Sequence, residues 1–130
     1  MTKEALTYIT NLLTSNGINY GFIEYNDEIV YPYFVGEYQE QPSLTEDGSQ
    51  ESLFILNGFT RKSANSTGQF LELETIKENL RNILGSEGLT DTLPSGSVIV
   101  IIFQDSAPIR TYDEELNRIQ INLKIKEWRV

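Results

Sequence analysis

The chain contains no cysteine and no histidine among its 130 residues. Without cysteine, disulfides, thiolate nucleophiles and cysteine-based zinc sites are excluded. Without histidine, the commonest general base and metal ligand is missing, so no Ser-His-Asp or Cys-His catalytic arrangement can form. The sequence also lacks the phosphate-loop pattern G-x-x-x-x-G-K-[ST] and the dinucleotide pattern G-x-G-x-x-G. We therefore expect no histidine or cysteine chemistry and no cofactor.

Basic residues and long apolar runs are also scarce. Ten Lys and Arg stand against nineteen Asp and Glu, a net charge of −9 that repels free nucleic acid, so no specific nucleic-acid binding is expected. The longest apolar run, residues 98–103, is too short to span a bilayer. The first residues lack the apolar run of a signal peptide. These features predict a soluble, cytosolic protein with no membrane contact.

The hydrophobic residues, 39% of the chain, suffice for one core and one domain over residues 1–130. Apolar residues recur at helical spacing in two segments. Five further segments are interpreted as strands, the last from strict alternation and the others from their apolar, β-branched and aromatic residues. The helices are predicted over 3–15 and 70–84, and the strands over 18–25, 29–38, 53–61, 97–104 and 119–125. This order, α-β-β-β-α-β-β, predicts an α+β fold: a single mixed or mostly antiparallel sheet of about five strands, with two helices packed on one face.

Several local features qualify this prediction. Pro32 has no backbone N–H that could donate a hydrogen bond to a neighbouring strand. Its strand is therefore predicted to lie at a sheet edge, or else Pro32 lies at a bulge or at the entry of the strand. Gly58 suggests a bulge. The uninterrupted apolar strand 97–104 is typical of a central strand that is buried on both faces. Residues 40–52 are polar and are predicted to form a long acidic loop, and residues 86–96 and 105–115 are predicted as connections.

The most unusual segment runs from Glu24 to Glu51 and carries eight acids and no base. Charge clusters are more often solvated surface than binding sites. The functional interpretation is a negative surface that faces a basic partner. Residues 45–51 suggest a calcium loop only weakly, since the ligand register of an EF-hand is missing, and a turn at Asp47 is the better interpretation.

Two further features suggest subunit contacts. The strand around Tyr33 and Phe34 is rich in aromatic residues but has acidic neighbours, which favours core packing or a protein interface over base stacking. Basic residues fall in the second half of the chain, which would suit head-to-tail contacts with the acidic first half, although ordinary surface charge is the simpler interpretation. The candidate interface residues are Tyr33, Phe34, Glu46, Asp47, Glu51, Arg110, Lys124 and Lys126.

The order of features carries a family resemblance. An amphipathic helix precedes the strand Tyr31-Pro-Tyr-Phe-Val35, and an acidic loop separates it from Leu53-Phe-Ile-Leu-Asn-Gly-Phe-Thr60. One helix follows, and two strands close the chain at Leu123-Lys-Ile-Lys-Glu-Trp-Arg129. This layout resembles the tail terminator and tail completion proteins, which join head and tail in long-tailed bacteriophages and prophages.

That resemblance implies a structural protein without catalytic residues. It implies a mixed α/β subunit that forms a homo-oligomeric ring, with a hexamer as the expected form. The ring would cap the last layer of the tail tube protein and offer a face to the head connector protein. It would be assembled in the host cytoplasm and retained in the virion.

Three other functions remain open at this point. One is another head–tail connector or neck protein. Another is an acidic binding or inhibitory protein that acts on a basic partner, as a DNA mimic does. The last is a small enzyme that uses carboxylates alone or with a divalent metal, which requires a concave site with convergent acids.

Overall fold

The computed structural model describes residues 1–22, 32–41, 49–61 and 69–128. Within these residues the chain forms two helices and one sheet of six strands in the order β1-β2-β3-β6-β5-β4. Strands β1 and β2 pair in parallel, and the other neighbours pair antiparallel. The elements are α1 Lys3–Ser15, β1 Tyr20–Phe22, β2 Tyr33–Gln41, β3 Ser49–Arg61, α2 Gln69–Leu84, β4 Leu89–Thr92, β5 Val98–Ile109 and β6 Leu116–Trp128. The predicted α+β class is confirmed.

Helix α1 has the predicted bounds. The side chain of Thr2 caps its first turn by accepting a hydrogen bond of 3.2 Å from the backbone N–H of Ala5. Ala5, Ile9 and Leu13 recur every four residues and are buried. The helix ends before Gly17, whose φ of 77° is a left-handed conformation that favours glycine.

Helix α2 likewise matches its prediction to within one residue. Leu73, Leu80 and Leu84 are buried on one stripe, whereas Leu71 is 66% exposed near the start of the helix. The ammonium of the partly buried Lys77 donates to Glu74, and this hydrogen bond raises the lysine pKa. Such a pair on a helix surface contributes little to stability.

Both helices pack on the same face of the sheet, as the sequence predicted. Side chains alternate between the two faces of a strand, and the buried apolar strand residues share one face. They form a single core with the buried residues of both helices. We call this side the helix-covered face and the opposite side the helix-free face. The fully buried strand residues include Phe34, Phe54, Leu56, Ile99, Ile101, Ile119, Ile121 and Ile125.

Gly58 does not form the predicted bulge. Strand β3 keeps an unbroken register with both neighbours at this point, where Gly58 pairs with Phe34 on β2 and Ile119 on β6. A Cβ atom at Gly58 would lie 2.3 Å from Cε1 of the buried Phe34 ring. The glycine is therefore required for close approach of the ring to the backbone. The bulge lies instead at Gln104, between Phe103 and Asp105 of β5.

Three predictions for the second half of the chain need correction. Strand β5 continues to Ile109, so residues 105–109 are strand and not connection. Strand β4, Leu89–Thr92, lies within the predicted connection 86–96. Finally, the two central strands are β3 and β6, and β5 lies beside β6. The buried residues of β5, Ile99 and Ile101, are both on the helix-covered face. A run of apolar residues cannot by itself specify strand order.

The predicted acidic loop over 40–52 is wrong at both ends. Strand β2 extends to Gln41 and β3 begins at Ser49, with Gln41 opposite Glu51. Hydrogen bonds between strands join backbone groups, so polar side chains do not prevent them. Strand β6 also pairs with residues 49–51, which gives this part of β3 a second partner strand. Residues 42–48, and the parts of the predicted strands at 23–25 and 29–31, lie outside the described residues. Pro32 directly precedes β2, which is the strand-entry position.

A tyrosine anchors α1 to the sheet edge. The hydroxyl of Tyr8 donates a hydrogen bond of 2.9 Å to Oδ2 of Asp91 on β4. Partial burial, then this hydrogen bond and the carboxylate charge, raise the pKa of Tyr8 to about 12. Burial raises the pKa of Tyr20 to about 12, although a hydrogen bond with the Thr10 side chain acts in the opposite direction. In both cases the folded state favours the neutral phenol.

We therefore predict two late tyrosine ionisations. Because both pKa values are raised, the stability they contribute is complete below the ordinary tyrosine pKa of about 10 and is lost as pH rises through about 12. Tyrosinate absorbance and circular dichroism, recorded together during an alkaline titration, should show these two ionisations last. Tyr8→Phe should remove one of them. If all tyrosines ionise near pH 10 while the protein stays folded, the packing of α1 described above is wrong.

Candidate protein-binding face

The helix-free face presents mixed polar, aromatic and aliphatic side chains, most of them half-buried. Because side chains alternate along each strand, the residues opposite the core positions define this face. No described helix covers it. Its main members are Tyr33, Val35 and Glu37 on β2, Glu51, Leu53, Ile55, Asn57 and Phe59 on β3, Arg118, Gln120, Asn122, Lys124, Lys126 and Trp128 on β6, and Val98, Val100 and Ile102 on β5.

Strand β6 forms a polar ridge along the middle of this face. The side-chain amide of Gln120 donates to Oδ1 of Asn122 at 3.2 Å, and Asn122 donates to Oδ1 of Asp105 at 2.6 Å. These two hydrogen bonds hold the side chains of the ridge in defined positions. Aliphatic side chains flank the ridge, namely Leu53 and Ile55 on one side and Val98, Val100 and Ile102 on the other.

One end of the ridge carries an ionic cluster. Glu51 lies between two lysines, with Oε2 at 3.6 Å from Nζ of Lys124 and Oε1 at 3.4 Å from Nζ of Lys126. The Lys126 ammonium also lies 5.9 Å from the ring centre of Trp128. One carboxylate faces two ammonium groups, so this cluster keeps a net charge of +1. Partly exposed pairs of this kind contribute at most about 1 kcal/mol each to stability.

An aromatic corner occupies the other end. The rings of Tyr33 and Phe59 stack with centres 5.0 Å apart, and the guanidinium carbon of Arg118 lies 5.8 Å from the centre of the Phe59 ring. Arg118 also donates from Nε and Nη2 to Oδ1 of Asn57, at 3.2 and 2.8 Å. The guanidinium is thus held in one orientation by a ring and an amide.

A groove of about 410 Å³ opens beside this corner. It lies where β5 and β6 come together, and we call it the arginine groove because Arg110 and Arg118 both line it. Asp113 and Glu114 line it as well, and the backbone N–H of Glu115 and the Arg61 guanidinium hold the pKa of the Asp113 carboxyl below its ordinary value. The lining also includes the apolar side chains of Phe70, Pro108, Ile109 and Leu116.

The structure brings together four of the residues singled out in the sequence. Tyr33, Glu51, Lys124 and Lys126 all lie on the helix-free face. Arg110 follows the end of β5 and lines the arginine groove. The prediction that Phe34 lies at an interface is wrong: its side chain is 0% exposed and packs in the core. Glu46 and Asp47 lie outside the described residues.

Arg118, Asn57 and Trp128 also belong to this face, although no sequence pattern singled them out. The alternation that predicted strand 119–125 continues to both sides of it, since β6 spans Leu116–Trp128. Continuing the same alternation by one residue toward the N-terminus would have placed Arg118 on the same face as Lys124 and Lys126. No alternation in the sequence placed Asn57 on this face, because its surroundings are set by the strands that pair with β3.

Within the described ranges, no three His, Cys, Asp or Glu side chains are grouped closely enough to hold a metal ion. The described helices include none that is long and apolar enough to cross a membrane. The helix-free face and the arginine groove beside it form the candidate functional site.

Comparison with known proteins supports the fold and nothing beyond it. No protein-family model and no curated protein matches the sequence. Among solved structures, one whose name describes no function aligns with 100% of this chain and 98% of its own length, with a TM-score of 0.66. The two sequences are 10% identical, so the likeness extends to the fold and no further.

Proposed function

We propose that the protein is a structural subunit of a phage tail, which caps the tail tube and joins it to the head connector. The family resemblance of the chain supplies the biological setting. The helix-free face supports a binding role. It combines tyrosine, tryptophan and arginine, the residue types that dominate protein interfaces, with half-exposed aliphatic side chains around a polar ridge.

The observation that carries this proposal is the composition of that face. An ordinary solvated sheet face would expose polar residues at most alternate positions. Here Leu53, Ile55, Val98, Val100 and Ile102 share the face with Tyr33, Phe59 and Trp128. A partner protein that covers them would remove apolar area from water, at about 25 cal/mol per Å² before the costs of association.

The test is capping of tail tubes. Purified protein should bind the ends of tubes assembled from the cognate tail tube protein and stop their growth, as seen by electron microscopy of tube lengths. Trp128→Ala should weaken capping, with Asn79→Ala as the control, since Asn79 is exposed on α2, which packs on the opposite face of the sheet. Tubes that grow to the same length with and without the protein would reject the proposal. Tight binding to a nuclease or a repressor instead would support the inhibitor interpretation.

A further inference from the structure

The sequence contains the dipeptide Asn-Gly twice, at Asn16–Gly17 and at Asn57–Gly58. Asparagine deamidates most readily before glycine, because glycine has no side chain to hinder its own backbone nitrogen. In this reaction the glycine nitrogen attacks the side-chain carbonyl carbon of asparagine and gives up its proton, a C–N bond forms, and ammonia leaves. Water then opens the resulting succinimide ring to aspartate or isoaspartate. The backbone must rotate before the ring can close, so the surroundings of each dipeptide decide its rate.

The fold protects Asn57–Gly58 from this reaction. Both residues are buried in β3 and pair with β2 on one side and with β6 on the other. The side-chain oxygen of Asn57 accepts hydrogen bonds from Nε and Nη2 of Arg118, and the ring of Phe34 lies against Gly58. Ring closure here would require strands of the core to separate, which costs close to the free energy of global unfolding.

Asn16–Gly17 lies in a much more open position, where α1 ends. Both residues are exposed, and among the described residues no atom beyond the chain neighbours lies within 4 Å of the Cβ position at Gly17. The N–H of Gly17 donates to the carbonyl of Thr14 at 3.1 Å, and Nδ2 of Asn16 donates to the carbonyl of Leu12 at 2.7 Å. These hydrogen bonds belong to the last turn of a helix, which opens at little cost in free energy.

We propose that Asn16 is a deamidation site of the folded protein, and that its conversion to aspartate or isoaspartate weakens the end of α1. The Leu12 carbonyl is one of the last four of the helix, which have no backbone partner within the helix. A carboxylate at position 16 cannot donate to it. The carboxylate also adds negative charge at the negative end of the helix dipole, where the last turn carries no basic residue. The proposal concerns the chain itself and is independent of the proposed tail function.

Peptide mass spectrometry of the full chain tests the site. One sample is kept folded in a warm, mildly alkaline buffer, and a second is kept unfolded in guanidinium chloride at the same pH. Digestion after glutamate residues places Asn16 and Asn57 on different peptides. In the folded sample Asn16 should deamidate at least about tenfold faster than Asn57, since helix ends open far more readily than core strands. In the unfolded sample the two sites should react at similar rates. Equal rates in the folded sample, or an unreacted Asn16 after the unfolded sample has reacted, would overturn the proposal.

A pair of substitutions tests the consequence for α1. Asn16→Asp reproduces the charge of the product and should lower the melting temperature by about 2–6 °C. Asn11→Asp is the matched control, because it makes the same change at an exposed position of the same helix, where the side chain forms no hydrogen bond with the described residues. It should lower the melting temperature less. Equal effects of the two substitutions would show that only the added charge matters, and would contradict the role of the Asn16 amide at the end of α1.

Discussion

Phe54→Ala should destabilise the fold by about 3–5 kcal/mol, the usual cost of removing a buried aromatic ring. Phe54 is 0% exposed on the helix-covered face of β3. Its ring lies 6.4 Å from that of Tyr20, and it fills the space above Gly36, where a Cβ atom would come within 2.6 Å of its Cζ. Removing the ring leaves a cavity at the centre of the sheet. Urea unfolding followed by circular dichroism measures the loss.

Phe59→Ala is the matched control on the same strand. Phe59 is half-buried on the helix-free face, where it stacks on Tyr33. Its removal should cost about 2 kcal/mol of stability, the sum of a half-buried apolar side chain and one aromatic pair. It should weaken partner binding more than Phe54→Ala does, once both variants are compared as folded proteins. Equal losses of stability at the two positions would contradict the assignment of the faces.

Gly58→Ala should cost about 1–3 kcal/mol or more through overpacking. The added methyl group would lie 2.3 Å from Cε1 and 2.7 Å from Cζ of Phe34, whose ring is fully buried and cannot swing into solvent. The same unfolding measurement applies. The conformational advantage of alanine over glycine in a strand is too small to offset this clash.

A second substitution tests the stated cause. Phe34→Leu shortens the side chain that meets the new methyl group, so Gly58→Ala should cost less in the Phe34→Leu background than in the wild type. A double-mutant cycle measures this coupling. If the two changes are additive, the clash with Phe34 is not the reason for glycine at position 58.

The sequence predicts those helices and strands that bury one face, and it does not predict strand segments whose side chains are mostly exposed. The alternation of 119–125 and the spacing of Ile9 and Leu13 predicted β6 and α1, because both elements bury one face against one core. Residues 105–109 gave no such signal. They contain Asp105 and Pro108 and are mostly exposed, yet β6 pairs with them through the backbone. Hydrogen bonding between strands leaves no trace in side-chain composition.

The candidate site shows the same limit. Tyr33 and Phe34 are adjacent aromatic residues, and a single-residue change of register would exchange their faces. The sequence therefore could not decide which of them packs in the core. Glu51 was assigned to a loop because its neighbours are polar, but β6 brings it opposite Lys126 and beside Lys124. Contacts of this kind depend on strand order, which one sequence does not specify.

The most direct test of the central claim, that the protein works by assembling with other subunits, is its mass in solution. Light scattering on a sizing column, at low and high protein concentration, should give a closed oligomer of several subunits, with a ring of about six as the expected species. A wild-type protein that stays monomeric at every concentration, alone and in the presence of tail tubes, would contradict the account.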